Sequence, residues 1–204
     1  MRAWPAVLLL IGLGGCASMP SGWPFRAAAE PPVTANATAA HAARVRAVGT
    51  WRLAGRIAVQ RDDQGVNAGL DWRQDGARFD LRVAAPLNGG TFALAGDDAT
   101  VTLVSPDGER FTAASAEALM SAHLGWMLPV GGARWWVRGV PAPAVTASQE
   151  YFDDHGRWTD FEQSGWRVSV LDYVTVGELS LPRKLYLSQA GLQVRVVVKS
   201  WEQP

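Results

Sequence analysis

Residues Trp51-Arg52-Leu53-Ala54-Gly55-Arg56-Ile57-Ala58-Val59 repeat with a period of two. Trp51, Leu53, Gly55, Ile57 and Val59 share one parity, and Arg52, Ala54, Arg56, Ala58 and Gln60 share the other. Successive side chains of a strand point to opposite faces, so the stretch predicts a half-buried β-strand with one apolar face. The same period continues outward. Ala68, Leu70 and Trp72 alternate with Gly69, Asp71 and Arg73; after a turn at Asp75-Gly76, Phe79, Leu81 and Val83 alternate with Arg78, Asp80 and Arg82. Phe92-Leu94 and Val101-Leu103 flank Asp97-Asp98, and Asp107-Gly108 is a hairpin signal ahead of Phe111. About five or six strands joined by short polar turns make an antiparallel meander.

The middle of the chain breaks the pattern. Ser115 is placed to cap a helix over residues 116–124, with Gly125 as its terminator. Leu119, Met120, His123 and Leu124 fall on one stripe at helical spacing. Beyond Trp126-Met127-Leu128-Pro129 a second short helix is expected over 133–138, closed by Gly139. Its adjacent Trp135 and Trp136 cannot both point inward. Strands then resume at 149–152 and 158–161, around a turn at Asp153-Asp154-His155-Gly156. Trp166, Val168 and Val170 alternate, Leu185 and Leu187 follow Pro182, and Leu192, Val194, Val196 and Val198 alternate before Trp201. The whole predicts a mainly β fold of about 10–11 strands: a curled antiparallel sheet or incomplete, open β-barrel with an inserted α-helical lid. Period alone does not separate a barrel filled by side chains from one lined around a cavity.

Upstream of this domain, Met1-Arg2 precedes a short apolar run over 3–13, broken by Pro5 and Gly12. The run is shorter than the ~20 residues of a membrane span and has the flanks of a secretory signal. It ends Leu13-Gly14-Gly15-Cys16, which resembles the lipobox of bacterial lipoproteins. That resemblance implies a signal peptide over 1–15, cleavage before Cys16, and lipid attachment to Cys16. Ala17, where an Asp would retain the protein in the inner membrane, implies export to the outer membrane. Residues 16–40, rich in Ala and Pro, are expected to be a lipidated flexible linker. The folded domain is placed at 41–204, opening with a short helix over 41–48.

Composition narrows the function. Cys16 is the single cysteine, which excludes an internal disulfide and a cysteine–metal cluster. Nineteen basic residues against nineteen acidic give no charge-based case for nucleic-acid binding. There is no glycine-rich Lys-Ser/Thr loop for a nucleotide, and no cofactor or metal is called for. His41, His123 and His155 fall in separate segments with no partner motif, so no enzyme is expected. Asp97-Asp98 and Asp153-Asp154 read as turn residues.

Several fragments carry a resemblance. Trp51–Val59, Leu70-Asp71-Trp72, Ala85-Pro86-Leu87, Gly125–Val130, Trp135–Gly139, Gly165-Trp166, Leu181-Pro182 and Trp201 stand in the order and spacing of the outer-membrane lipoprotein receptor LolB family. The resemblance covers essentially the whole folded part. It implies an open barrel with a helical lid around an apolar cavity, and a receptor that accepts triacylated lipoproteins from the periplasmic carrier LolA. The receptor would release them into outer-membrane phospholipid, acting as a monomer anchored through Cys16 on the periplasmic face. Pro86-Leu87-Asn88 matches the family's loop, whose protruding leucine helps insert cargo into the membrane; Asn88 departs from the glycine common there. The expected acyl-chain residues on the strands are Ile57, Leu70, Trp72, Phe79, Leu81, Phe92, Leu94, Trp166, Val168 and Val196. Leu119, Leu124, Met127 and Trp136 would line the lid. The competing reading is a structural or assembly-factor lipoprotein without lipid transfer.

Overall fold

The computed structural model describes residues 35–86, 89–124 and 126–203. Among them the elements run α1 (Ala35–Ala47), β1 (Thr50–Arg61), β2 (Gln64–Asp75), β3 (Arg78–Ala84), β4 (Thr91–Gly96), β5 (Val101–Val104), β6 (Arg110–Ala113), α2 (Ala116–Leu124), α3 (Val130–Trp136), β7 (Ser148–Phe152), β8 (Trp158–Gln163), β9 (Trp166–Val176), β10 (Leu179–Gln189) and β11 (Leu192–Glu202). The eleven strands form one antiparallel sheet in the order β6-β5-β4-β3-β2-β1-β11-β10-β9-β8-β7. Two meanders therefore meet at a central seam, where β1 and β11 pair from Arg52↔Glu202 to Arg61↔Leu192.

The sheet does not close. Its edges are the four-residue β6 and the five-residue β7, and such short edges offer little backbone to a foreign strand. These edges are consecutive in the chain, so residues 114–147 must travel from one side of the sheet to the other. That crossing carries α2 and α3 over the apolar face. Leu53, Leu103, Phe161, Val168, Leu187 and Val194 on that face have no exposure left. Burying each is worth about 1.5–3 kcal/mol.

Strand alternation also sorts the connections. Thr50 pairs with Asp75, so α1 and the β2–β3 turn share one end of the sheet with the β4–β5 turn. The β1–β2 turn and the loops after β3 and β5 lie at the opposite end. The helix α1 begins at Ala35, six residues ahead of its expected start. The segment has no apolar period, but Ala35, Ala37, Ala39, Ala40, Ala42 and Ala43 are strong helix formers. It buries His41, Ala42 and Val45. Its first turn rests on the β7–β8 turn at Gly156, where φ is +75° and a Cβ would lie 2.8 Å from the Thr38 nitrogen.

The second lid helix is also displaced, covering Val130–Trp136 instead of 133–138. Pro129 starts it because a proline at the N-terminus costs no helical donor, and the Pro129 carbonyl accepts from Ala133 at 2.7 Å. The turn after it ends at Gly139 with φ of +78°.

Candidate functional site

The space between sheet and helices is the site. From the strands, Ile57, Leu70, Trp72, Leu81, Leu94, Trp166, Val168 and Val196 all lie at 7% exposure or less, with Phe79 and Phe92 packed half-buried against them. From the lid, Leu119 and Trp136 are buried and Leu124 is half-buried. Met127 departs from expectation: it is 42% exposed, and Leu128 takes the buried place at 4%. One residue decides this because the 126–129 stretch has no regular period to show which side chain turns inward. These side chains pack against one another in one cluster. A cleft of about 150 Å³ opens at the seam between lid and sheet, with Phe79, Val101, Ala116 and Val130 among its walls.

The two lid helices are held unequally. Ser115 caps α2, its hydroxyl oxygen accepting from Ala118 N–H at 3.2 Å. Glu117 accepts from Val130 N–H at 2.8 Å, so a carboxylate of α2 sits at the N-terminus of α3. Phe111 of β6 stacks on His123 at 3.9 Å between centroids. The ties of α3 and the turn after it reach farther along the chain. Trp136 donates its indole N–H to Gln163 Oε1 at 2.7 Å on β8. The same oxygen accepts from Ala142 N–H, and the Gln163 amide donates back to the Ala142 carbonyl, each at 2.9 Å. This buried amide is fully used, and each bond left unmade there would cost about 1–3 kcal/mol.

Arg138, just past α3, is 4% exposed. Its Nη1 donates to the carbonyls of Val45 and Val48 at 3.0 and 2.9 Å, so it closes the C-terminus of α1 where the helix dipole is negative. Its guanidinium lies 4.5 Å from the Trp135 ring and 5.6 Å from Trp51. Burial, with Arg134 and Arg46 nearby, lowers its pKa to about 10, which leaves it charged at neutral pH. Trp51 packs on Trp72 and Trp201 at 5.4 and 5.7 Å. Trp135 is left at the surface of this cluster while Trp136 goes in, as adjacent helical positions require.

The loop after β3 is described only at its flanks. Pro86 is exposed, Ala85 N–H donates to the Gly90 carbonyl at 2.9 Å, and Gly89 N–H donates to Pro86 at 3.2 Å. Leu87 and Asn88 lie outside the described residues, as do Cys16 and Gly125. The sequence alone offers no role for Gln163 or Gln74, and it leaves Arg134 and Arg138 either as part of a patch facing the carrier or as solvated surface. The two glutamines carried a usable signal, since each shares the parity of an apolar strand face, Gln163 with Phe161 and Gln74 with Trp72. Arg138 carried none. The histidines are dispersed: His41 faces Tyr173 at 6.3 Å, His123 lies on Phe111, and His155 pairs with Asp154 in an exposed turn. In that turn Asp153 accepts from the backbone of His155 and Arg157, both at 3.0 Å, which is a turn's use of an aspartate.

Residues 49–201 match the family model described as outer membrane lipoprotein LolB. A protein of Nitrosococcus oceani named outer-membrane lipoprotein LolB is 36% identical over 152 residues, 74% of this chain and 76% of its own. A second of that name from Stutzerimonas stutzeri is 35% identical over 198 residues, 97% of this chain and 93% of its own. Among solved structures, a putative outer membrane lipoprotein-sorting protein domain from Vibrio parahaemolyticus superposes with a TM-score of 0.57 at 8% identity, over 82% of this chain and 91% of its own. A LolA superfamily protein from Nitrosomonas europaea gives 0.50 at 8% identity, over 85% and 94%. These two likenesses concern the fold.

Proposed function

The chain belongs to the outer-membrane lipoprotein LolB family, and from that premise we propose that it takes lipoproteins from the periplasmic carrier LolA and inserts them into the outer membrane. The observation that carries this reading is the apolar face of an open sheet, roofed by a helical segment that joins its two edges. Each methylene withdrawn from water is worth ~0.8 kcal/mol, so one long acyl chain in water costs on the order of 10 kcal/mol. A protein that carries such chains needs a concave apolar site that opens. Acyl chains enter by separating lid from sheet at the cleft beside Phe79 and Val101. The helix α2, which packs on the short strands β5 and β6 at one edge of the sheet, is the part that yields.

This is binding and handover rather than catalysis, and it needs no fuel if affinity rises from carrier to receptor to bilayer. The lipid on Cys16 holds the domain at the periplasmic face of the outer membrane, residues 16–34 give it reach, and Pro86-Leu87-Asn88 meets the bilayer. Ile57, Leu70, Trp72, Leu81, Leu94, Phe79, Phe92, Trp166, Val168 and Val196 meet acyl chains from below, and Leu119, Leu124 and Trp136 from above. Depletion of the protein from cells tests the reading. Mature lipoproteins should accumulate on the soluble carrier; normal arrival at the outer membrane in depleted cells would sink it.

A further inference from the structure

Three arginines converge where α1, α3 and the β2–β3 turn meet. Arg46, Arg134 and Arg138 line one cleft of about 260 Å³ together with Trp51 and Trp135. Asp98 is the one carboxylate among its lining residues; it pairs with Arg134 at 3.3 Å and is 68% exposed, so the cleft keeps an excess of positive charge. Arg138 is buried on carbonyl acceptors alone, and Arg46 spends its Nη2 on the Pro141 carbonyl at 3.2 Å. Arg134 and Arg138 both lie over the Trp135 ring, at 5.9 and 4.5 Å.

Two further donors find no acceptor among the described residues: the indole N–H of Trp51, a residue 2% exposed, and the buried Nε of Arg134. Buried donors in folded proteins are almost always paired, and buried cations are paired or bind an anion. Arginine at this density presents planar donors suited to the oxygens of a phosphate.

We infer that the cleft is an oxyanion site that binds a phosphate group, as the free ion or as the phosphodiester of an anionic phospholipid, through Arg46, Arg134 and Arg138. The lipid form rests on the transfer function proposed above, because the adjoining interior would hold its chains; the free-ion form does not.

The test uses the full chain with Cys16→Ala, so that no lipid of its own competes. Titration calorimetry compares dihexanoyl-phosphatidylglycerol, uncharged dihexanoylglycerol and inorganic phosphate, with the Trp51 indole signal followed by NMR. The phosphatidylglycerol should bind more tightly than the neutral lipid and shift the Trp51 signal. In Arg46→Gln and in Arg134→Gln that preference should fall by about tenfold each, the worth of one hydrogen bond to a charged group. Phosphate binding as well as the phospholipid would uphold the site and assign it to the free ion. Equal binding of charged and neutral lipid, with no response to phosphate, would overturn it. Phosphate binding without uptake of either lipid would instead count against the transfer reading and leave the oxyanion site standing.

Discussion

At one end of the sheet, α1, α3 and the β2–β3 turn converge on Arg138, whose guanidinium links two helices through the Val45 and Val48 carbonyls. At the other end the loops over 85–90 and 105–109 meet backbone to ring: a Cβ on Gly90 would lie 2.3 Å from Pro106 Cβ. The first end is fixed by buried polar bonds and aromatic stacking. The second is fixed by close approach around an exposed proline. The difference separates the two ends physically: the helical end secures the lid, and the loop end is the one that carries the proposed membrane-facing segment. It also puts the start of α1 far from the loop that is proposed to touch the membrane.

That separation sets the length the proposed linker would have to span. The twelve residues of β1 extend over about 40 Å. With Cys16 lipidated as proposed, nineteen residues over 16–34 would span at most about 60 Å if extended, enough for the loop end to reach the bilayer. Deleting residues 20–31 leaves a reach of roughly 25 Å. Delivery to outer-membrane vesicles should be largely lost, while the unfolding midpoint and uptake of a fluorescent fatty acid stay as before. The variant Leu87→Glu should reproduce that phenotype with a full-length linker. Normal delivery by both would remove the loop end from the mechanism.

The next largest effect belongs to the helical end. Trp136→Ala empties the lid's main anchor and strips Gln163 of a donor, so denaturant unfolding should show a loss of about 3–5 kcal/mol. A loss below 1 kcal/mol would mean α3 is no better held than α2.

Acid should loosen the same end. Burial, then the charges of Arg44 and Arg157, lower the His41 pKa from 6.5 to about 4, with Asp153 opposing them. The unfolded chain therefore takes up the proton first. Stability is full above pH 6.5 and falls as pH drops toward 4, by up to about 3 kcal/mol. In His41→Phe this part of the pH dependence should vanish; an unchanged profile would assign it to other groups.

The smallest effect is at the loop end. Gly90 has a φ of +75°, and Gly90→Ala adds both that strain and the Pro106 contact. The cost should be about 2 kcal/mol. Hydrogen exchange should quicken in loops 85–90 and 105–109 and not in α3; a uniform response would erase the distinction between the ends.

Legibility followed the range of the interactions. The strands of β1, β2 and β3 were visible because alternation is written within a few residues, and the turns at Asp75-Gly76 and Asp107-Gly108 because their chemistry is local. The first helix is expected six residues too late because its opening turns carry no apolar period, only alanines. Within the candidate site, the apolar strand residues were legible as a face, yet Met127 and Leu128 exchanged places because no local rule orients that stretch. Arg138 resembled surface charge, and only the carbonyl end of α1, at least ninety residues away in sequence, makes its burial tolerable.

By itself, then, the sequence determined an antiparallel β domain with two inserted helices, its apolar face and its family, since period, turn chemistry and motif order are properties of neighbouring residues. The tertiary structure alone decided that β1 pairs with β11, that consecutive β6 and β7 become opposite edges, and that three arginines share one cleft. Those outcomes depend on contacts between residues distant in the chain, whose free energy no local pattern records.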